Sequence, residues 1–203
     1  MSLRLSLLGS LALLVLPAFA FAAAKVGAPA PAFTLQDTDG KARSLAEFAG
    51  KTVVLEWTND GCPFVKKHYE SGNMQALQKR WTGKGVIWLV VNSSAKGKQG
   101  HVDAAGAKAI MTEAGATPSA YLLDPDGKVG KAYGARATPH MYVIDAKGQL
   151  VYTGAIDSVP SADEADIAAA KNYVDAALTE LAEGRQVTTA ATQAYGCGMK
   201  YAD

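Results

Sequence analysis

The sequence holds only two cysteines, Cys62 and Cys197, and they lie 135 positions apart (197 − 62). Val65 stands where a Cys-x-x-Cys motif needs its second thiol, so a small disulfide at that site is excluded. A copper site built from two neighbouring cysteines and a histidine is disfavoured for the same reason. Neither a metal nor a cofactor is expected. Excess charge is also lacking. Lys and Arg total 20 against 19 Asp and Glu, and setting aside Arg4 with the leader leaves 19 against 19. A balance near zero gives no reason to expect nucleic acid or an anionic membrane surface as a partner. No internal repeat, long low-complexity tract or second hydrophobic span is present.

The one hydrophobic run is at the start. Arg4 precedes an apolar stretch from Leu5 to Leu16, which Pro17 breaks. Ala18-Phe19-Ala20 and Ala22-Ala23-Ala24 both offer small residues for cleavage. This predicts a signal peptide over 1–24, too short to span a bilayer comfortably, and a secreted, periplasmic protein with no membrane attachment after cleavage. An uncleaved anchor is the competing reading. The remaining residues suit one domain over 25–184 and a tail over 185–203 that carries Cys197.

The stretch that organises the rest is Lys51 to Tyr69, KTVVLEWTNDGCPFVKKHY. Thr52 to Trp57 reads as a buried strand, and Thr58-Asn59-Asp60-Gly61 as a turn. Pro63 suits the first position of a helix, where its missing N–H is not needed. Cys62 thus sits between strand and helix. There the unpaired N–H groups and the positive end of the helix dipole favour a thiolate, and Lys66 and Lys67 push the same way. The competing reading is an inert cysteine filling an apolar gap.

Further along, Met74, Leu77 and Trp81 continue a helix broken at Ser71-Gly72-Asn73. Val86–Val91 is an apolar strand, Val102–Ala114 a helix and Ser119–Leu123 a strand. Ser44 with Glu47, and Ser161 with Glu164, each read as a capping box, the second opening a helix that runs to Gly184. Ala137-Thr138-Pro139 leads into the strand His140–Ile144. The Asp145–Gly148 turn then joins that strand to Gln149–Gly154 as a hairpin. The layout is α/β, a mixed central sheet flanked by helices.

Residues 26–184 resemble the thioredoxin-like fold in its redoxin form, with the redoxin-type N-terminal extension. That branch includes peroxiredoxins of the alkyl hydroperoxide reductase/thiol-specific antioxidant type and periplasmic thiol–disulfide proteins. The resemblance rests on Ala30-Pro31-Ala32-Phe33-Thr34-Leu35, on the strand–turn–Cys62 unit and on Ala137-Thr138-Pro139. Cys62-Pro63-Phe64-Val65-Lys66-Lys67 with Gly196-Cys197-Gly198-Met199-Lys200 is most similar to a peroxiredoxin-like subgroup. The Thr/Ser-x-x-Cys of typical peroxiredoxins is missing, since Asn59 stands three residues before Cys62.

The resemblance implies that Pro139 is cis and lies with Thr138 against a reactive Cys62. It implies Arg136 as a thiolate-stabilising arginine, with a solvated loop arginine as the competing reading, and Glu56 as a buried proton acceptor, with an acid at the strand's exposed end as the competing one. Helical spacing places His68 on the surface, and Trp57 reads as core. His140 either approaches the site or points to solvent. If Cys62 is oxidised by a peroxide to sulfenic acid, a second thiol must resolve it, and Cys197 is the one available. Thr188 to Gln193 would then be a polar linker that lets Cys197 return. A disulfide closing so long a loop stabilises by roughly 3–5 kcal/mol in the chain-entropy model, so a purely structural staple is the competing role. The implied activity is a thiol-dependent oxidoreductase that reduces peroxide, using an unknown thiol reductant. The alternatives are a thiol–disulfide exchange or redox-sensing protein acting on protein disulfides, and a non-enzymatic scaffold.

Overall fold

The computed structural model describes residues 23–202, so the expected signal peptide lies almost wholly outside the described residues. Three parallel strands form the centre: β3 (Val53–Trp57), β4 (Ile87–Asn92) and β5 (Ala120–Leu123). Their near-continuous apolar sequences fit strands covered on both faces, and every residue of β3 is buried. The hairpin of β7 (His140–Ile144) and β8 (Leu150–Gly154) adds antiparallel beside β3. At the other edge, β1 (Thr34–Asp37) pairs with β5 and with β2 (Ala42–Ser44). The sheet order is β2-β1-β5-β4-β3-β7-β8.

Alternation along β3 divides the core. Val54 joins Trp88, Val90, Met141 and Val143 on one face. Helices α2 (Asn73–Thr82), α3 (Ala104–Glu113) and α5 (Tyr173–Ala182) contribute Met74, Leu77, Trp81, Ala107, Val174 and Leu178 there. Val53, Leu55 and Trp57 face Phe33, Phe48, Tyr133 and Leu150 on the other. Trp57 is core as expected, fully buried, with its indole N–H donating to Ser93 Oγ at 2.9 Å. The break after α1 (Pro63–Glu70) falls at Gly72, whose φ of 76° is left-handed backbone that glycine adopts without steric cost.

Several local readings fail. Ser44 places no side chain on the short 3-10 helix Leu45–Phe48; Glu47 instead pairs with Lys41 and Arg43. The helix expected from Ser161 to Gly184 is two elements. Asp163 caps a 3-10 turn over Glu164–Ala168, Ser161 Oγ donates to Asp166 Oδ2, and Asn172 caps α5 by accepting from Asp175 N at 2.8 Å. Asp and Asn compete with Ser for cap positions, and sequence spacing alone does not rank them. A short helix α4 (Lys128–Tyr133) follows the Asp124–Gly127 turn. Buried Asp124 holds its start, accepting from Val129 N and Gly130 N at 3.2 and 2.8 Å.

β3 and β7 run antiparallel with Trp57 opposite His140. The end of β3, which leads to Cys62, therefore meets the beginning of β7, which follows Thr138-Pro139. A hole in the central strand beside them should be costly. Leu89→Ala, at a fully buried position of β4, is expected to lose about 2–5 kcal/mol of unfolding free energy in urea denaturation.

Candidate redox site

Cys62 is the N-cap residue of α1, with extended backbone (φ −85°, ψ 122°) and Pro63 directly after it. Its carbonyl accepts from Val65 N and Lys66 N at 3.0 and 2.9 Å. The side chain is 1% exposed, and Sγ donates to the Thr138 carbonyl at 3.2 Å. The Thr138–Pro139 peptide bond is cis, as the resemblance implied. The tail supplies the remaining wall. Two-residue strands β6 (Ala137–Thr138) and β9 (Cys197–Gly198) pair antiparallel, with Thr138 opposite Cys197 and Ala137 opposite Gly198. Gly196, at φ 127°, is pressed onto the Thr138 carbonyl, where a Cβ would overlap the oxygen.

Both cysteines are free thiols, and each shifts the pKa of the other. Burial is the largest single influence on Cys62 and raises its pKa. Hydrogen-bonding influences from the Cys197 side chain, Thr138, and the Val65 and Cys197 backbones lower it and together outweigh burial. The net direction is down, toward the thiolate. Cys197 moves the opposite way, to about 11, through burial and then through its thiol hydrogen bond and charge interaction with Cys62; Lys200 opposes this. The two shifts diverge, so the Cys62 proton is the more easily lost and the Cys197 proton the more firmly held.

The tail is fastened on both sides of Cys197. Upstream, Thr153 N donates to Ala190 O and Thr192 N to Thr153 O, at 3.1 and 3.0 Å. Thr192 Oγ1 accepts from Ala155 N at 2.9 Å. Downstream, Ala95 N donates to Lys200 O at 2.8 Å and the Tyr201 hydroxyl to Ala135 O at 2.7 Å. The stretch that reads as a polar linker is therefore docked along β8 through Ala190 to Thr192. Its threonines and alanines carry no hydrophobic period, and backbone pairing holds them.

The remaining expected residues divide. Glu56 is fully buried, and its carboxylate accepts from the Tyr69 hydroxyl (2.7 Å), Trp88 Nε1 (2.7 Å) and Gln78 Nε2 (3.2 Å). Burial pushes its pKa up against those donors. These bonds stitch β3, β4, α1 and α2 together. Arg136 is exposed; its charge acts on His140, and its carbonyl accepts from Met199 N at 3.3 Å. His140 is buried against Tyr142, whose hydroxyl lies 3.2 Å from Nδ1, and Thr153.

His68 is fully buried, contrary to the surface expectation. With Lys67 it faces buried Asp157, whose Oδ2 lies 3.6 Å from Lys67 Nζ and 3.8 Å from His68 Nε2. Tyr195 of the tail completes this cluster. Nothing in the sequence pattern marks Asp157 or Tyr195; the one signal is that Tyr195 adjoins the glycine-flanked Cys197.

Two measurements follow from this geometry. Gly196→Ala strains a positive-φ position and collides with Thr138, so hydrogen-exchange protection at Cys197 and Gly198 is expected to fall at least about tenfold. Burial lowers the pKa of both His68 and His140 to about 4; Lys67 and Arg136 respectively push the same way, and Asp157 opposes the shift at His68. A depressed folded-state pKa gives stability that is complete above the unfolded value near 6.5 and is lost as pH falls toward 4. Urea titrations should show that loss, on the order of 3 kcal/mol per histidine at most, and His140→Gln should flatten it.

Comparisons with known proteins bear on the fold and the family. The profile of the Redoxin family matches residues 25–171. A curated relative, thiol-disulfide oxidoreductase ResA of Bacillus thuringiensis subsp. konkukian, is 27% identical over 63% of this chain and 68% of its own length. A hypothetical protein from Sinorhizobium meliloti has a solved structure that superposes with a TM-score of 0.74, at 26% identity, over 88% of this chain and 95% of that one. An uncharacterized conserved protein from Geobacillus kaustophilus gives 0.74 at 28% identity, over 88% and 93%. With a thioredoxin-like sheet, a cysteine at the helix start and a cis-proline beside it, the chain belongs to the Redoxin family.

Proposed function

We propose that this protein is a thiol–disulfide oxidoreductase in which Cys62 is the attacking thiolate and Cys197 the resolving thiol. The observation that carries this is the pairing of Thr138 with Cys197, which sets the two thiols against each other inside one chain. In the first step the Cys62 thiolate attacks one sulfur of a protein disulfide. A Cys62–partner disulfide forms, and the partner's other sulfur leaves as a thiolate. Cys197 then loses its proton and attacks the Cys62 sulfur, the partner's second thiolate departs, and a Cys62–Cys197 disulfide remains. An external thiol reductant, of unknown identity, returns both to thiols. The order is built in: once Cys62 is in a mixed disulfide, its negative charge no longer holds the Cys197 proton on.

The relatives named as thiol-disulfide oxidoreductases support protein disulfides as the substrate class. Peroxide is the weaker candidate. The residue three before Cys62 is Asn59, and its amide is tied to Gln99 at 2.8 Å and to Gly61 N at 3.1 Å. A cleft of about 540 Å³ between α1 and α3 is lined by Val65, Lys66, Tyr69, Ile110 and Met111, and not by Cys62. No cofactor enters this cycle. The leader read from residues 1–24 supports a periplasmic location, where partner disulfides persist.

The test follows reduction of a disulfide-bonded protein and of hydrogen peroxide, each with dithiothreitol as reductant. Cys62→Ser should abolish disulfide reduction, and Cys197→Ser should accumulate the mixed disulfide. Equal rates for wild type and Cys62→Ser would rule the reading out. Peroxide consumption that outpaces disulfide reduction would reassign the substrate.

A further inference from the structure

Two residues before Cys197, Tyr195 reaches into a part of the molecule that the proposed cycle does not use. Its ring meets Phe64 of α1 edge-on, with centroids 5.8 Å apart, and Lys67 Nζ lies 5.9 Å from its centroid. Its hydroxyl donates to Asp157 Oδ1 at 2.5 Å. Asp157 is 3% exposed; Oδ1 also accepts from Val159 N at 3.0 Å, and Oδ2 faces Lys67 and His68. Asn73 Nδ2 lies 2.9 Å from His68 Nδ1, which directs the His68 Nε2–H toward Asp157 and Tyr195.

Lys67 and His68 belong to α1, the helix whose first turn carries Cys62. The tail is thereby tied to the same rigid element as the nucleophile. Only Gly196 separates that tie from Cys197, and Gly196 is itself pressed on the Thr138 carbonyl. A hydrogen bond to a buried carboxylate is among the stronger ones, because the carboxylate has little water as an alternative. Fixing Tyr195 therefore fixes where Cys197 falls. With the tail so held, Cys62 has almost no exposed surface for a partner to reach.

We propose that the Tyr195–Asp157 hydrogen bond is a latch that holds Cys197 in register against Cys62, making Tyr195 a positioning residue for disulfide closure and the guard of the Cys62 thiol. This rests on the redox cycle above. Closing the disulfide removes two electrons and two protons from the thiol pair. In a glutathione buffer the oxidant is glutathione disulfide, which becomes two molecules of glutathione.

Tyr195→Phe removes only the hydroxyl and leaves the ring on Phe64. Two readouts on the full chain test it. The first is the effective concentration of Cys197 at Cys62, from the fraction of disulfide in stepped glutathione buffers, quenched and weighed by mass spectrometry. The second is the rate of Cys62 alkylation by iodoacetamide in a Cys197→Ser background. Tyr195→Phe should lower the first about tenfold and raise the second about tenfold, as loss of one charge-assisted hydrogen bond would. Hydrogen exchange at Val54 and Leu55 should stay as in wild type; faster exchange there would show general loosening and overturn the latch. Unchanged disulfide and alkylation values would overturn it too. If the wild-type chain forms no Cys62–Cys197 disulfide in any buffer, the redox cycle fails. The alkylation arm still decides the latch: faster in Tyr195→Phe supports it, equal rates overturn it.

Discussion

One short backbone pairing organises this site. Thr138, on the strand before the cis-proline, lies opposite Cys197 from the end of the chain. The Thr138 carbonyl accepts the Cys62 thiol, and hydrogen bonding with Thr138 lowers the Cys62 pKa. Cys197 lowers it further through its side chain and backbone. Without the pairing Cys62 would lose Cys197's share of the hydrogen bonding that lowers its pKa, together with cover that buries it. The lowered pKa and the burial of Cys62 thus depend on the same contact. Holding two reacting groups in place replaces a bimolecular encounter with an intramolecular one.

The sheet makes that contact available. Because β3 and β7 are antiparallel neighbours, the end of one and the start of the other share an edge, and Cys62 and Thr138 follow from there. The buried polar groups around the site are satisfied rather than isolated. Glu56 takes three donors, Asp124 takes Ser93 and two backbone amides, and Asp157 takes Tyr195 and Val159 beside Lys67 and His68. In a low-dielectric interior an unpaired group of this kind is costly, and these networks fix α1 and the tail relative to the sheet.

The legible parts were those set by adjacent residues. The apolar run of β3, the turn formers after it and Pro63 beyond Cys62 specified a strand, a turn and a helix start, and the structure has all three. Ala137-Thr138-Pro139 marked the cis-proline through the family resemblance. The spacing at Ser44 and Ser161 predicts capping boxes, yet Ser44 holds the N-cap without a side-chain bond while Glu47 pairs with Lys41 and Arg43, and Asp163 takes the cap near Ser161. His68 was misplaced because helical spacing shows which face a residue occupies and not what covers that face. Here the cover is Tyr195, 127 positions later (195 − 68).

Sequence alone thus determined the α/β layout, the cysteine at a helix start and the absence of a near second thiol, since each is encoded within a few neighbouring residues. Tertiary structure decided what Cys62 faces. The tail from Ala190 to Tyr201 has no helical period and no run of large aliphatic residues to announce a docking site. It is held by backbone pairing, by one glycine against a carbonyl and by a tyrosine on a buried aspartate. Such contacts are satisfied only between residues far apart in the chain, so the partnership of Cys62 with Cys197 becomes definite only in the folded molecule.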